Sequence, residues 1–435
     1  MGFQAGFCRL DITPPLGVRI GGYYYERIAD GVLDPLYVNA LAFSDGEHCG
    51  VVLVCDLLGI YNDEARTWAG EIARKTGLAS DAVFLCHIHT HTGPVVCGSR
   101  EPSDEQYDAW LFRRLCDAVV LALQDRKPVT AIRAFEGLCP GVAFVRRFKM
   151  KSGIYQTWAN YLDPDIESYA GTPDESLRFV RIEREGGEEL VLVNFQLHPD
   201  NVNGTRYSAD FPGFLRRNIE QKKENVRCVF LNGAEGQMVA ADWWHDSIPR
   251  VPYQKAIWIA ERMAEMILEH YDDAQPVPTG AVSVGQTVLQ CRTKRDPSRI
   301  PEAERLIAMH EAGRDDDIGP DWIATPLVAE AYILRRLEAA RQDEVPIMVS
   351  AVTLGDVALL GIGGEPFCEL GQMIRRDSPY PVTMVCCQTN GCEGYYPTSE
   401  AYDQGGYEPR NTRFVKGVGE TISEAAAELL KRLHT

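Results

Sequence analysis

The 435-residue sequence lacks the features that mark several classes of protein. Acidic residues outnumber basic ones by 62 to 44, which gives a formal net charge of −18. Proteins that bind nucleic acids or anionic membranes use an excess of lysine and arginine, so this composition argues against both kinds of partner. No apolar run is long enough to span a bilayer. The composition therefore predicts an ordinary soluble globular protein.

Closely spaced CxxC pairs are also missing, although the sequence holds 13 cysteines. Several of them, such as Cys55, Cys86 and Cys228, lie in apolar runs, where a reduced cysteine packs as a small hydrophobic residue. The opening stretch, MGFQAGFCRLDITPP, lacks the basic start and long apolar core of a secretory signal. Together these features predict reduced thiols and a cytoplasmic location.

Segments with β-type and helical patterns follow one another along the chain without a repeat or a linker that would divide two cores. This succession predicts an α/β fold in which mixed β-sheets are flanked by helices, within a single large domain over residues 1–435. One charged, helical segment at about 295–345 stands out as an insertion. The pattern leaves open whether this segment is a lid or a solvated structural insertion.

The most informative stretch is VFLCHIHTHTGP, which runs from Val83 to Pro94. Its apolar start is typical of a buried strand, and the strand leads directly into His87, His89 and His91. In extended backbone, side chains two residues apart point to the same face. Imidazole is a common ligand of zinc and similar metals, so the spacing favours a metal site over a polar loop of satisfied histidines. The remaining ligands must come from elsewhere in the chain.

Polar side chains come at or just after the ends of several predicted strands, including the strand that leads to His89. In open α/β sheets, ligands bind beyond the carboxyl ends of the strands. Histidine and glutamate are the ligand types of hydrolytic zinc sites, whereas carboxylates and amides after strands are also ordinary helix caps. The residues concerned are Asp56, His89, His198, Asn232, Glu365 and Asn390.

Two further stretches allow two interpretations. Tyr23 follows the pair Gly21-Gly22, so it could line a pocket or simply pack against the core. Arg146 and Arg147 are adjacent in a stretch with little apolar periodicity, which by itself favours a solvated surface pair.

A set of motifs in a fixed order resembles the neutral/alkaline non-lysosomal ceramidases. The motifs are HTHTGP, the loop from LHP to SAD, NGAEG, GGEPF and YYPTSEAYDQGGYE, and the early stretches DITPPLG and DGVLDPLY resemble the opening of that family. The resemblance extends from about Gly6 to the final helix. It implies the fold of the family's catalytic domain and a zinc-dependent hydrolase.

The resemblance also implies roles for individual residues. His87 becomes a neighbour of the metal rather than a ligand. The implied zinc ligands are His89, His198, Glu365 and Tyr395. The implied substrate-facing residues are His91, Arg146 and Tyr407.

These roles predict attack by a zinc-bound water on an amide carbonyl. We expect His91 to protonate the leaving amine and Arg146 to hold an anionic or carbonyl group of the substrate. Tyr407 and a backbone N–H near Gly233 would stabilise the oxyanion. Asn232 and Tyr23 complete the predicted substrate-binding set.

Two departures from the family pattern argue against ceramide as the substrate. The ceramidases carry a serine in the loop that aligns with NGAEG, where this sequence has Gly233, and they continue into an immunoglobulin-like domain beyond the point where this chain ends. We therefore predict hydrolysis of a small polar amide. A metal-dependent lyase or a glycoside-directed enzyme on the same scaffold is the alternative, and a non-catalytic zinc-binding protein is a third interpretation.

Overall fold

The computed structural model describes residues 2–99 and 101–434. Short and long strands alternate along this part of the chain. In order, they are β1 Gln4–Asp11, β2 Arg19–Ile20, β3 Arg27–Ile28, β4 Gly31–Val32, β5 Tyr37–Ser44, β6 Cys49–Cys55, β7 Val83–His87, β8 Lys127–Leu138, β9 Phe144–Val145, β10 Arg147–Met150, β11 Tyr155–Thr157, β12 Ile166–Tyr169, β13 Ser176–Arg184, β14 Glu189–Phe195, β15 Arg206–Tyr207, β16 Val226–Asn232, β17 Met238–Val239, β18 Gln275–Val277, β19 Val282–Arg292, β20 Glu344–Leu354, β21 Val357–Ile362, β22 Glu365–Pro366, β23 Val382–Cys386 and β24 Tyr395–Tyr396.

The α-helices lie between these strands and after the last of them. Among the described residues, no helix combines the length and apolar character needed to cross a membrane. The α-helices are α1 Asn62–Thr76, α2 Glu105–Gln124, α3 Asp210–Lys222, α4 Pro252–Glu269, α5 Ile300–Glu311, α6 Asp321–Ala340, α7 Cys368–Asp377, α8 Ser399–Gln404, α9 Tyr407–Arg410 and α10 Val418–Leu433.

The larger sheet has nine strands and mixes parallel with antiparallel pairing. Its main path is β16-β14-β13-β8-β1-β5-β6-β7, and β18 pairs with β8. The pairs β14 with β16 and β6 with β7 are parallel, and the pairs between them are antiparallel. The parallel strands at the two ends are continuous apolar runs, because a strand covered on both faces has no solvent side to make polar. The predicted mixed α/β fold is confirmed.

A second sheet has the order β19-β20-β21-β23, in which β21 and β23 are parallel. It packs its own apolar cluster against α7 and α10, and this cluster includes Phe367, Ile374 and Leu430. The two sheets contact each other through β6 and β7 on one side and β19 and β20 on the other. Their contact brings the end of β23 close to the end of β7.

The segment after β23 crosses the carboxyl ends of two strands in the larger sheet. Cys387 donates its backbone N–H to the carbonyl of Asn232, at the end of β16, at 2.9 Å. His87, at the end of β7, donates its N–H to the carbonyl of Gln388 at 3.2 Å. Asn390 donates its N–H to Leu85 at 2.7 Å. These bonds place strand ends from both sheets around one point.

The segment predicted as helical at about 295–345 contains α5 and α6, which pack against each other as a helical hairpin. The hairpin has a small apolar cluster of its own that includes Leu306, Ile307 and Leu334. We use the name "helical hairpin" below for residues 300–340. Its inner side faces the strand ends described above.

Candidate metal centre and cavity

His89 lies two residues beyond the end of β7 and has a left-handed backbone, with φ of 71°. Its ring Nδ1 is 2.7 Å from the carbonyl oxygen of Leu58. A carbonyl can only accept, so Nδ1 is the donor in this bond, and in the neutral ring Nε2 is the nitrogen that can bind a metal. That Nε2 is 3.7 Å from Oε2 of Glu365. The local structure therefore presents His89 with its ligand nitrogen turned toward Glu365.

His198 reaches the same carboxylate from the loop after β14. Its Nε2 is 3.5 Å from Oε2 of Glu365, and both atoms are buried without a hydrogen-bond partner among the described residues. Burial, together with the nearby Arg146 guanidinium, lowers the pKa of His198 well below its usual range. The imidazole is therefore neutral, which is the form that binds a metal.

Glu365 and Tyr395 are neighbours in a short parallel ladder. They are direct partners between β22 and β24, and the N–H of Glu365 donates to the carbonyl of Gly394 at 2.9 Å. Burial, and then the charge of Glu365, raise the pKa of the Tyr395 phenol well above its usual range. The structure thus places Tyr395 beside Glu365, on the cavity wall that also includes His89.

Glu235 is a further side chain of a metal-binding type in this cluster, and the sequence prediction missed it. It is fully buried, and one ligand atom from each of His89, His198, Glu235 and Glu365 lies within 4.8 Å of the others. Burial, and then the charge of Glu365, raise the pKa of the Glu235 carboxyl well above its usual range. The available signal was its position, because it follows the end of β16 at the edge where the other groups collect.

His91 lies on the cavity side of this cluster. It forms a second possible metal-binding group with His89 and His198, again with ligand atoms within 4.8 Å of one another. Its Nδ1 is 3.7 Å from Oδ1 of Asp200, which accepts a hydrogen bond from the Tyr23 hydroxyl. Both ring nitrogens of His91 are buried and lack a hydrogen-bond partner in the described part of the chain. The imidazole is thus available to a ligand in the cavity.

Arg146 and Arg147 are both buried, so the interpretation as a solvated surface pair is wrong. The Nε of Arg146 donates to Oε1 of Glu408 at 2.7 Å, and its Nη2 donates to the carbonyl of Gly236 at 3.0 Å. Its guanidinium carbon lies 5.5 Å from the centre of the Tyr395 ring and 5.8 Å from that of Tyr407. Arg146 is therefore placed behind the two tyrosines rather than on the cavity wall.

The Tyr407 side chain lines the cavity, and its hydroxyl oxygen accepts a hydrogen bond from a neighbouring amide. The side-chain amide of Asn411 donates to this oxygen at 2.7 Å, which leaves the phenol proton for another acceptor. The Tyr24 hydroxyl, on a half-exposed side chain, lies 2.7 Å from the same oxygen. Burial, and then Tyr24, raise the pKa of Tyr407 well above its usual range, so Tyr407 is a hydrogen-bond donor at neutral pH.

Asn232 and Gly233 do not reach the cavity wall. The side-chain amide of Asn232 donates to the carbonyl of Ile88 at 3.0 Å and to the Glu235 carboxylate. The N–H of Gly233 donates to the carbonyl of Phe195 at 2.8 Å, so this N–H is already engaged and we do not assign it to an oxyanion. The two residues hold the loops beneath the cluster.

A cavity of about 490 Å³ opens from the cluster toward the helical hairpin. Leu58 is the one aliphatic side chain among the residues that line it in the described part of the chain, and the rest of the wall is mostly aromatic, polar or charged. Tyr23 and Tyr407 both lie on its wall. The inner end is formed by His89, His91, Glu365 and Tyr395, and the outer end by His310, Tyr332, Arg335 and Arg336.

No family model matches the chain, and no curated protein matches it in sequence. Two solved structures share its architecture over its whole length. The crystal structure of neutral ceramidase from Pseudomonas aeruginosa has a TM-score of 0.74 and 16% sequence identity, and the match covers 100% of this chain and 75% of that one. The chain has the neutral ceramidase fold. A ceramidase complexed with C2 also has a TM-score of 0.74, with 15% identity, over 100% of this chain and 76% of that one.

The neutral ceramidase fold confirms the resemblance expected from the ordered motifs. At this level of identity the likeness establishes the architecture alone. The chemistry must be argued from the side chains of this chain.

Proposed function

We propose that the protein is a zinc-dependent hydrolase that cleaves the C–N bond of a compact polar amide. The observation that carries the proposal is the buried cluster at the inner end of the cavity. Two carboxylates, Glu235 and Glu365, lie there beside the buried His89 and His198. Buried carboxylates of this kind need a compensating positive charge, and a bound cation supplies it.

The donor set fits zinc. The buried Nε2 of His198 and Oε2 of Glu365 point at each other from 3.5 Å without a hydrogen bond, which is the arrangement of two ligand atoms around a shared cation. Neutral imidazole and carboxylate are the ligands of hydrolytic zinc sites. His89, His198, Glu365 and Tyr395 would hold the ion. When bound, zinc would activate a water molecule and polarise the substrate carbonyl.

The other side chains divide the remaining work. His91, a neutral imidazole whose ring nitrogens are free for a ligand, can accept a proton from the attacking water and pass it to the leaving nitrogen. Tyr407 can donate its phenol proton in a hydrogen bond to the carbonyl oxygen as negative charge develops there. Arg146 supports this step indirectly, because it fixes the rings of Tyr395 and Tyr407 from behind.

The cavity supports a compact polar substrate rather than a long-chain ceramide. A volume of about 490 Å³ suits a small-molecule ligand. A long acyl chain needs an extended apolar wall, whereas Leu58 alone is aliphatic among the described lining residues. Tyrosine, arginine and amide side chains instead offer hydrogen bonds to a polar molecule.

Product analysis tests the proposal. The purified protein is loaded with zinc and incubated with panels of amides, esters and glycosides, and the products are identified by mass. We expect amides to be cleaved with the gain of one water across the C–N bond. Elimination without water would instead support the lyase, and release of a sugar would support a glycoside-directed enzyme.

Metal analysis accompanies this assay. We expect roughly one zinc per chain in the wild type and in His245→Ala, which alters an exposed histidine remote from the cluster. Full activity of the protein after complete removal of metal would refute the proposal.

A further inference from the structure

Glu235 lies near the Nδ1 side of the His198 ring, and Glu365 lies near the Nε2 side. The Nε2 of His198 faces Glu365 at 3.5 Å, whereas its Nδ1 is 3.8 Å from Oε2 of Glu235 and 3.4 Å from the backbone carbonyl of the same residue. The two ring nitrogens are therefore divided between two glutamates. One nitrogen points to the predicted metal position and the other points away from it.

The second histidine of the cluster is oriented differently. Nδ1 of His89 donates to the neutral carbonyl of Leu58 at 2.7 Å. A carboxylate is a stronger acceptor than a carbonyl, and it makes the opposite ring nitrogen of a histidine more basic and hence a better metal ligand. Both histidines thus have a backbone carbonyl as the acceptor of Nδ1, and His198 has in addition a carboxylate oxygen 3.8 Å from that nitrogen.

The Glu235 carboxylate is held in place from several directions. Oε2 accepts a hydrogen bond from the side chain of Asn232, and Oε1 lies 3.2 Å from Sγ of Cys387. The backbone carbonyl of Glu235 accepts the N–H of Met238 at 2.6 Å, and the carbonyl of Met238 in turn accepts the N–H of His198 at 3.0 Å. The loop that carries Glu235 and the loop that carries His198 are therefore one hydrogen-bonded unit.

We propose that Glu235 is a positioning residue that orients His198 and strengthens it as a metal ligand, without binding the metal itself. The inference rests on the proposed zinc site. In this inference, the buried carboxylate of the NGAEG motif acts on His198, a predicted metal ligand, and does not contact the substrate.

The test compares wild type with Glu235→Gln, which keeps the shape of the side chain and removes its charge. Zinc affinity is measured by competition with a chromophoric chelator, and the visible absorption of the cobalt-substituted protein reports the number of ligands. We expect zinc affinity to fall by about 10- to 100-fold, the usual effect of losing such a partner. The cobalt spectrum at saturation should keep its intensity and shape, because the ligands themselves are unchanged.

Two further variants show whether a fall in zinc affinity results only from damage to the fold. Glu369→Gln removes another largely buried carboxylate, one that accepts from Gln237 and lies outside the metal cluster, and it should retain wild-type zinc affinity. Glu235→Asp retains the charge and should recover part of the affinity lost in Glu235→Gln. Wild-type melting behaviour of the metal-free variants confirms that the fold is intact.

The outcomes separate this inference from the proposed function. A wild-type protein that binds no zinc would remove the proposed function. Zinc binding by the wild type with unchanged affinity in Glu235→Gln would overturn the positioning role alone. A cobalt spectrum altered in Glu235→Gln would show that Glu235 is itself a ligand, and this result would also overturn it.

Discussion

The two ends of the cavity are built in different ways. At the inner end, His89 and His198 are buried, follow strands of the larger sheet and are fixed by hydrogen bonds to backbone carbonyls. At the outer end, the lining residues belong to the helical hairpin. Arg335, for example, lies over the ring of Tyr332 at 4.9 Å and approaches Glu304 only to 3.8 Å.

The outer end depends on a few anchoring contacts. Ala329 packs with Tyr395 and Tyr407, so α6 forms part of the support of these two tyrosines. The neighbouring carboxylate of Glu330 is the centre of a group of three cations. They are Lys294 at 3.2 Å, Arg299 at 2.8 Å and Arg410 at 2.8 Å.

This contrast predicts a division of labour. Changes at the inner end should abolish the metal site or the chemical step, because the side chains there are closely packed and no neighbour can take the place of one that is removed. Changes at the outer end should alter substrate affinity and the attachment of the helical hairpin while leaving the metal in place. The following variants test that division.

The largest effect is expected for His198→Ala. Loss of this ligand should empty the zinc site and reduce hydrolysis to background, as measured by metal analysis and amide turnover. His245→Ala serves as the control, because this side chain is 82% exposed. A His198→Ala protein with full zinc content would refute the predicted ligand set.

Tyr407→Phe should remove one donor to the developing oxyanion and reduce kcat by roughly 10²–10³ while zinc is retained. Tyr395→Phe should weaken zinc binding as well as rate, because its phenol is the predicted ligand. Tyr161→Phe, on a ring stacked against Trp243 away from the cavity, is the matched control. Zinc loss confined to Tyr407→Phe would mean that the two tyrosines have exchanged roles.

Glu330→Gln should loosen the helical hairpin, since three cations would lose their shared carboxylate. Glu330 and Lys294 form the buried part of this group, and removing one partner of a buried ion pair lowers the free energy of unfolding by up to about 3–5 kcal/mol, measurable by denaturant titration. Glu302→Gln, on the other helix of the hairpin and paired with the exposed Arg305, should change it by less than about 1 kcal/mol. Equal effects of the two changes would show that the Glu330 group is no special anchor.

The same group predicts a pH dependence. Despite burial, which acts in the opposite direction, the three cations lower the pKa of Glu330 below its ordinary value of 4.5. The unfolded chain then takes up this proton first as the pH falls, so the stabilisation is complete above about pH 4.5 and is lost below it. Acid titration of stability should show this loss in the wild type and a smaller loss in Glu330→Gln.

The smallest effect is expected for Arg335→Ala. This side chain lies at the outer end and is 39% exposed, so its loss should raise KM a few-fold for a substrate that contacts it and leave kcat unchanged. Arg314→Ala, on the exposed turn after α5, is the control. A comparable fall in kcat with Arg335→Ala would show that the outer end takes part in the chemical step.

Much of the inner end was predictable from the sequence. The VFLCH run specified a buried strand, and His89, His198 and Glu365 each come shortly after the end of a strand. Their convergence depends on pairing across hundreds of residues, which periodicity cannot supply. The ordered motifs provided that information through the family resemblance.

The errors share a physical cause. Arg146 looked like a surface residue because its partner, Glu408, is 262 residues away in the chain. Glu235 was missed because its neighbour in the cluster, His198, is 37 residues away in the chain, and a local pattern does not show that contact. The sequence also could not show that the helical hairpin lines the cavity, since this follows from how α6 packs against Tyr395 and Tyr407.

The left-handed backbone at the metal centre has an evolutionary consequence. His89, Gln388 and Asn390 all have positive φ values, of 71°, 48° and 52°, and each such residue costs roughly 1 kcal/mol or more relative to glycine. Glycine at position 89 would remove this cost together with a predicted metal ligand, so selection for thermal stability alone would act against the site. A directed-evolution experiment on this protein must select for turnover and heat resistance together, or the heat-resistant descendants will be inert.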